Sequence, residues 1–219
     1  RDLRMSRGLG DVYKRQDVAI KHAITTMKNH FRPDYTCWHV VSYNNDGTVE
    51  RKQTHQGKND DSSWSRGQAW AVYGYTSCYR ETNDTTFLNF AVNIADMIME
   101  RVKTDDAIPY WDYDAPVTEE TPRDASAAAV TAAGFIELST MVPNGKKYLD
   151  YAEKILKSLS SDAYLAKVGE NQGFILMHSV GSLPNGSEID TPLNYADYYY
   201  LEALKRFCLL YTSPSPRDM

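Results

Sequence analysis

The sequence predicts an all-α fold carrying one small β-hairpin, and three observations predict it. Apolar residues recur at three- and four-residue spacing in four separate stretches, the pattern of helices with one buried face. A further stretch, 124–140 (DASAAAVTAAGFIELST), is small and apolar almost all round, so other elements must enclose it. Only the residues on either side of the Asn45-Asp46-Gly47 turn read as extended chain.

Each element follows in order. A helix is expected over 17–31, with Val18, Ile20, Ala23, Ile24 and Met27 on one face and Pro33 stopping it. Residues 37–43 (CWHVVSY) form one strand, and 48–56 (TVERKQTHQ) pair back across the turn. A second helix covers 63–80, with Asp61, Ser62 or Ser63 as its cap. The third, 85–102, aligns Phe87, Leu88, Ala91, Ile94, Ala95 and Ile98. A proline-bounded loop, 108–116 (IPYWDYDAP), leads to Pro122, which suits the first turn of a fourth helix ending near 141. The fifth, 146–160, carries Leu149, Ala152, Ile155, Leu156 and Leu159. After a glycine-rich loop over 162–190, Pro192 opens a sixth helix with Leu193, Ala196, Tyr199, Tyr200 and Leu204. Enclosed helices alternating with one-sided ones imply an inner ring inside an outer ring. Six helices make three helical hairpins, or half of a toroid of six. A helical solenoid would need a fixed-period repeat, and none is found. No low-complexity linker divides the chain.

The two ends stand apart. Residues 6–16 (SRGLGDVYKRQ) and 208–218 (CLLYTSPSPRD) can be encoded by one DNA strand and its complement, as a transposase sequencing adapter translated at both ends would be. Segments 1–16 and 208–219 are therefore expected to be non-native tails around a natural segment, 17–207. The whole chain carries 24 basic and 29 acidic residues, a net charge of −5. The tails hold six of the basic and three of the acidic residues, so the segment carries 18 against 26, or −8. That balance argues against nucleic acid or an anionic membrane surface as partner. No apolar run is long enough to span a bilayer. With Cys208 assigned to the tail, Cys37 and Cys78 make neither a disulfide framework nor a metal motif. Cellular location stays open between cytoplasm and periplasm.

The stretch 55–75 (HQGKNDDSSWSRGQAWAVYGY) concentrates the chemistry. The start of the second helix presents free N–H groups and the positive dipole end, suited to an anion. Arg66 lies in that first turn, and its planar fork matches a carboxylate. Trp70 and Tyr73 share its face, Trp64 and Gln68 form a neighbouring stripe, and Gly67 leaves room for close approach. Indole faces, amides and a guanidinium together suit a sugar acid. The same residues also read as structure: the indoles as core, Arg66 as a partner of Asp60 or Asp61. His39 and His55 are weaker candidates, and Cys37, His39 and His55 lack the fixed spacing of a metal site. Asp112 and Asp114 admit acid–base work, but capping or bonding to Arg123 and the loop is the favoured reading. Asp124 reads as a helix cap. Tyr195 is the aromatic of the last helix expected to face a ligand, and loop 178–190 is expected to fold over a mouth with Gly181 and Gly186 as flexible points.

Five blocks in this order, 29–43, 54–82, 108–116, 122–130 and 169–204, resemble the C-terminal half of the unsaturated glucuronyl hydrolases, glycoside hydrolase family 88. The HQG at 55–57 followed by WSRGQAW at 64–70 is the most specific match. The related unsaturated rhamnogalacturonyl hydrolases match these blocks less well. The resemblance implies part of an (α/α)6 barrel that acts on oligosaccharides made by polysaccharide lyases, with no metal or organic cofactor. Hydration of the vinyl ether of a 4,5-unsaturated uronic acid gives an unstable hemiketal that opens and releases the rest of the chain. His39, His55, Gln56, Trp64, Arg66 and Trp70 match positions lining the family's substrate pocket, with Tyr195 a looser match. The indoles would stack on sugar rings, Arg66 would meet a carboxylate or sulfate, and His39 and Gln56 would contact the unsaturated ring. Lys58 stands where an aromatic is usual, and Ser65 where an alanine is. The family's two essential aspartates precede the matched region. Asp112 and Asp114 do not replace them, so this polypeptide alone is expected to be inactive. The alternative function is a non-catalytic helical carbohydrate-binding protein.

Overall fold

The computed structural model describes residues 9–212, with side chains from 14 to 211. Its elements are α1 (Leu9–His30), β1 (Val40–Tyr43), β2 (Val49–Gln53), α2 (Ser65–Thr82), α3 (Thr85–Arg101), α4 (Ala125–Ser139), α5 (Lys146–Leu159) and α6 (Asn194–Thr212). Residues 1–8 and 213–219 of the expected tails lie outside the described residues. Within them, α1 runs unbroken across 16–17 and α6 across 207–208.

The helix at 124–140 behaves as its composition requires. Of α4, every residue but Glu137 and Ser139 is buried, with α2, α5 and α6 packed around it. Phe135, Ile136 and Leu138 leave water almost completely, each burial contributing about 1.5–3 kcal/mol. Small residues let the neighbours close in. A β-carbon on Gly134 would sit 3.2 Å from both Cα and N of Tyr73, so α2 and α4 touch backbone to backbone there. By contrast α3 and α5 bury one face only, through Phe87, Ala91, Ile94 and Ile98 in α3 and Tyr148, Ala152, Ile155 and Leu159 in α5.

Contacts at both ends show that the inner helices α2, α4 and α6 run parallel. Near their amino ends Arg66 meets Asp124 and lies over Tyr195. Toward their carboxyl ends Glu137 of α4 takes Arg80 of α2 at 2.5 Å and Arg206 of α6 at 2.8 Å. Arg206 also donates to the Ala133 carbonyl. Parallel inner helices returned by outer ones is the arrangement of half a toroid. The first outer helix is held loosely: Ala23 is the sole buried residue among the described side chains of α1, and its carbonyl accepts from Tyr75 Oη at 3.0 Å.

The hairpin pairs Val40 with Gln53 and Ser42 with Arg51, with an irregularity between Ser42 and Tyr43. Its turn closes through Gly47 N to the Asn44 carbonyl, and Asp46 accepts from Thr48 N.

Three helix starts differ from expectation. The second helix begins at Ser65 with Trp64 in the cap position and no side-chain cap. The backbone groups there are taken by a neighbouring loop instead: Ser65 N donates to the Trp111 carbonyl, and Tyr113 N donates to the Ser63 carbonyl. The fourth begins at Ala125, because Asp124 caps it and Pro122 stays in the loop, its carbonyl accepting from Trp111 N. The sixth begins at Asn194, two residues after Pro192. The remaining expected helix bounds agree with the observed ones to within two residues, apart from the start of α1.

Candidate functional site

The site is built from three loops that meet at the amino end of α2. Loop 54–62 is tied to loop 110–114 by Asp112, which is fully buried. Its Oδ2 accepts from Lys58 N at 2.9 Å and Ser62 Oγ at 2.7 Å, and its Oδ1 accepts from Asp114 N. Asp114 accepts from Ser63 N and pairs with Arg101. Both carboxylates therefore hold loops. The Ser65 hydroxyl completes the seam by donating to the Tyr110 carbonyl. At the helix end expected to face an anion, the Ser65 N–H is taken by this loop.

Arg66 receives a carboxylate, but one from the chain itself. The residue is 2 % exposed. Its Nη1 lies 2.8 Å from Asp124 Oδ2 and donates to Ser126 Oγ and the Val180 carbonyl, while Nη2 donates to the Gly181 carbonyl at 2.9 Å. The partner is Asp124, not Asp60 or Asp61, and the guanidinium is turned into the α4 start and loop 178–190. In this structure its Nη1 and Nη2 donors are taken by the chain itself, where a ligand's carboxylate or sulfate was expected.

Gln56 works beside it, donating from Nε2 to the same Gly181 carbonyl at 2.7 Å. Gly181 N donates to the Glu188 carbonyl at 2.7 Å. A β-carbon on Gly181 would fall 2.6 Å from the Glu188 Cβ. Gly181 is thus a point of close packing and not the flexible joint expected; loop 178–190 is fastened where it crosses the HQG turn.

On the other side of α2 lies a hollow of about 470 Å³, walled by Trp64, Gly67, Trp70 and Gly74 of the α2 region, by Trp38 and His39, and by His22 and His30 of α1. His39, Trp64 and Trp70 share it. Trp64 is nearly buried, at 7 % exposure, and His39 stacks on it with centroids 4.3 Å apart and planes 27° apart. The Arg66 guanidinium carbon also lies 4.6 Å from the Trp64 ring. Trp64 therefore stiffens the wall, and Trp70, only partly buried, offers the freer indole. Trp70 packs edge-on to Tyr199 at 5.0 Å and tilted to Tyr195 at 6.4 Å.

His39 Nδ1 accepts from the backbone N–H groups of both His55 and Gln56, each at 3.1 Å. Burial, and then the charges of His55 and Arg66, push its pKa down to about 4. The His55 side chain is exposed outside the hollow; the buried Arg66 head and the half-buried Gln56 head also lie outside it and converge on Gly181. Burial holds the Cys37 thiol up at about 12, and among the described residues no three His, Cys, Asp or Glu are grouped to hold a metal ion. Among those residues, no helix is long and apolar enough to cross a membrane.

Trp38 was not anticipated. It lines the hollow with Arg32 and Lys52 over its ring, at 4.5 and 3.6 Å. Nor was the Arg66–Asp124 pair, which spans 58 positions. No local signal marks either.

A parallel-helix half-toroid with an indole-walled hollow beside α2 defines the chain's class as part of an (α/α)6 barrel, and known proteins give the particular family. A protein of Formosa agariphila named unsaturated glucuronyl hydrolase is 48 % identical over 192 residues, 87 % of this chain and 48 % of its own length. One from Bacillus sp. (strain GL1) with the same name is 33 % identical over 194 residues, 86 % of this chain and 51 % of that protein. A solved unsaturated glucuronyl hydrolase described as specific for heparin superposes with a TM-score of 0.87 at 56 % identity, over 89 % of this chain and 53 % of that one. No family model matches. The chain belongs to the unsaturated glucuronyl hydrolase family and spans about half the length of the relatives it matches.

Proposed function

We propose that this chain is part of an enzyme that releases a 4,5-unsaturated uronic acid from the non-reducing end of lyase-generated oligosaccharides by hydrating the vinyl ether. The observation that carries the reading is the shared hollow: His39, Trp64 and Trp70, three of the residues matched to the family's pocket, line one cavity. Trp70 supplies the stacking face, His39 the polar contact and Trp64 the rigid wall behind it. Arg66 and Gln56 serve by fixing loop 178–190, and Tyr195 stands between Trp70 and Arg66, behind the wall of the hollow. The acid that protonates the double bond and activates water is supplied by the part of the protein preceding this segment. The ligand is a carbohydrate with an acidic unsaturated ring; a neighbour has been solved with dGlcA-GalNAc6S bound, which makes a sulfated disaccharide a suitable first substrate.

The test is an assay of the full-length protein for loss of the unsaturated uronide's ultraviolet absorbance. Absorbance should fall with time. Trp70→Ala should lower kcat/KM by about tenfold or more, equivalent to about 1.4 kcal/mol of transition-state stabilisation. A protein that binds the sugar and leaves its absorbance unchanged is a binding module, and the hydrolase reading then fails.

A further inference from the structure

We infer that the His55–Gln56 peptide edge locks His39 as the neutral Nε2–H tautomer, making it a standing hydrogen-bond donor to an oxygen of the bound ring and removing it from acid–base chemistry. Only the identity of that acceptor rests on the function proposed above. The lock rests on geometry.

Two backbone N–H groups point at one ring nitrogen, each at 3.1 Å. An amide N–H can only donate, so Nδ1 must present its lone pair, and the proton of a neutral imidazole then sits on Nε2. A general base needs a free lone pair; Nδ1 is already occupied, and Nε2 carries hydrogen. A general acid at ordinary pH needs the imidazolium, which would bring a third N–H toward the two amides. Nothing around the ring favours that charge. The Trp64 indole stacks on it, the Thr54 hydroxyl is 3.5 Å away, the His55 ring is 6.3 Å away, and the charges acting on it are those of His55 and Arg66, both of which oppose protonation. No carboxylate offsets them among the groups acting on it.

The lock is anchored from outside the hollow. Gln56, whose N–H is one of the two donors, is held by its own side chain to the Gly181 carbonyl, which Arg66 also grips. Gln56 and Arg66 are therefore positioning residues for His39. Their role is to hold an amide edge in place, so that the Nε2–H direction is set before a ligand arrives.

Two-bond proton–nitrogen correlation spectra of the 15N-labelled 219-residue chain, recorded from pH 5 to 8, read the tautomer directly. The chain has five histidines. Single Gln substitutions at His22, His30, His55 and His178 identify four of them, and the remaining set is His39, so no variant at the locked position is needed. The expected result is protonated Nε2 and acceptor-type Nδ1 for His39, unchanged between pH 8 and pH 5. An Nδ1–H pattern, an exchange average of the two tautomers, or an imidazolium midpoint at or above pH 6 overturns the inference. Each outcome is readable whether or not the full-length protein hydrolyses any sugar, so failure of the lock and failure of the proposed function are separable.

Discussion

At the scale of single residues, Asp124 shows why the charged stretch at the α2 start is structural as well as functional. Its Oδ1 accepts from Ser126 N at 3.0 Å and Ala127 N at 3.4 Å, capping α4, while its Oδ2 faces Arg66 at 2.8 Å. The two side chains are 3 % and 0 % exposed. Removing one member of such a pair leaves a charge in low dielectric with nothing to balance it, at a cost of about 3–5 kcal/mol; losing the cap adds about 1 kcal/mol. Asp124→Ala should therefore lower the urea-unfolding free energy by several kcal/mol. Arg66→Met with Asp124→Ala should recover much of that, because the stranded charge is gone. A single variant costing under about 1 kcal/mol, or a double variant as weak as the sum of its parts, would show that the pair carries no such load. The sequence exposed both residues as unusual, and the reading of Asp124 as a helix cap agrees with the structure. It could not show that each is the other's partner, since 58 positions separate them and only the packing of α2 on α4 brings them together.

At the scale of elements, the legible features were those written in local periodicity. The stripe of α5 and the all-round apolar character of α4 predicted their burial patterns, one-sided and enclosed respectively. The start of α2 was misjudged because a cap is normally a side chain, and here the loop 110–114 backbone takes that place. The flexibility assigned to Gly181 failed for a related reason: a glycine in sequence does not say whether it supplies freedom or space. Gly134 is a clearer case of space. Its missing β-carbon lets α4 lie against the Tyr73 backbone, where a new atom would meet Cα and N at 3.2 Å. Backbone cannot step aside as the end of a side chain can. Gly134→Leu should cost about 1–3 kcal/mol by overpacking, although leucine is the better helix former. Thermal unfolding followed by far-ultraviolet circular dichroism gives the answer; an unchanged or raised midpoint would mean the two helices have slack between them.

At the scale of the whole molecule, the decisive feature is how the half-toroid ends at its two flanks. On α1, Val18 is 66 % and Ile24 49 % exposed; on α6, Tyr198 is 59 % and Leu201 51 % exposed. Among the described residues, α1 packs against α2 and β1, and α6 against α4 and α5. Large apolar residues exposed on two helices mark a candidate interaction face, and the matched relatives are about twice as long as the segment they share with this chain. The isolated chain should therefore self-associate through its flanks and bind a hydrophobic dye. Sedimentation velocity across a concentration series tests this. Tyr198→Glu combined with Leu201→Lys should shift the distribution toward monomer. Val168→Lys, at a fully exposed residue in a loop, should leave it unchanged, because a lone surface apolar residue forms no patch. Added salt discriminates the cause: apolar association persists or strengthens, whereas association through charge on this acidic chain weakens as screening grows. A sharp monomer at all concentrations, with no dye fluorescence, would mean that the exposed helix faces are self-sufficient and that the half-toroid is a finished surface.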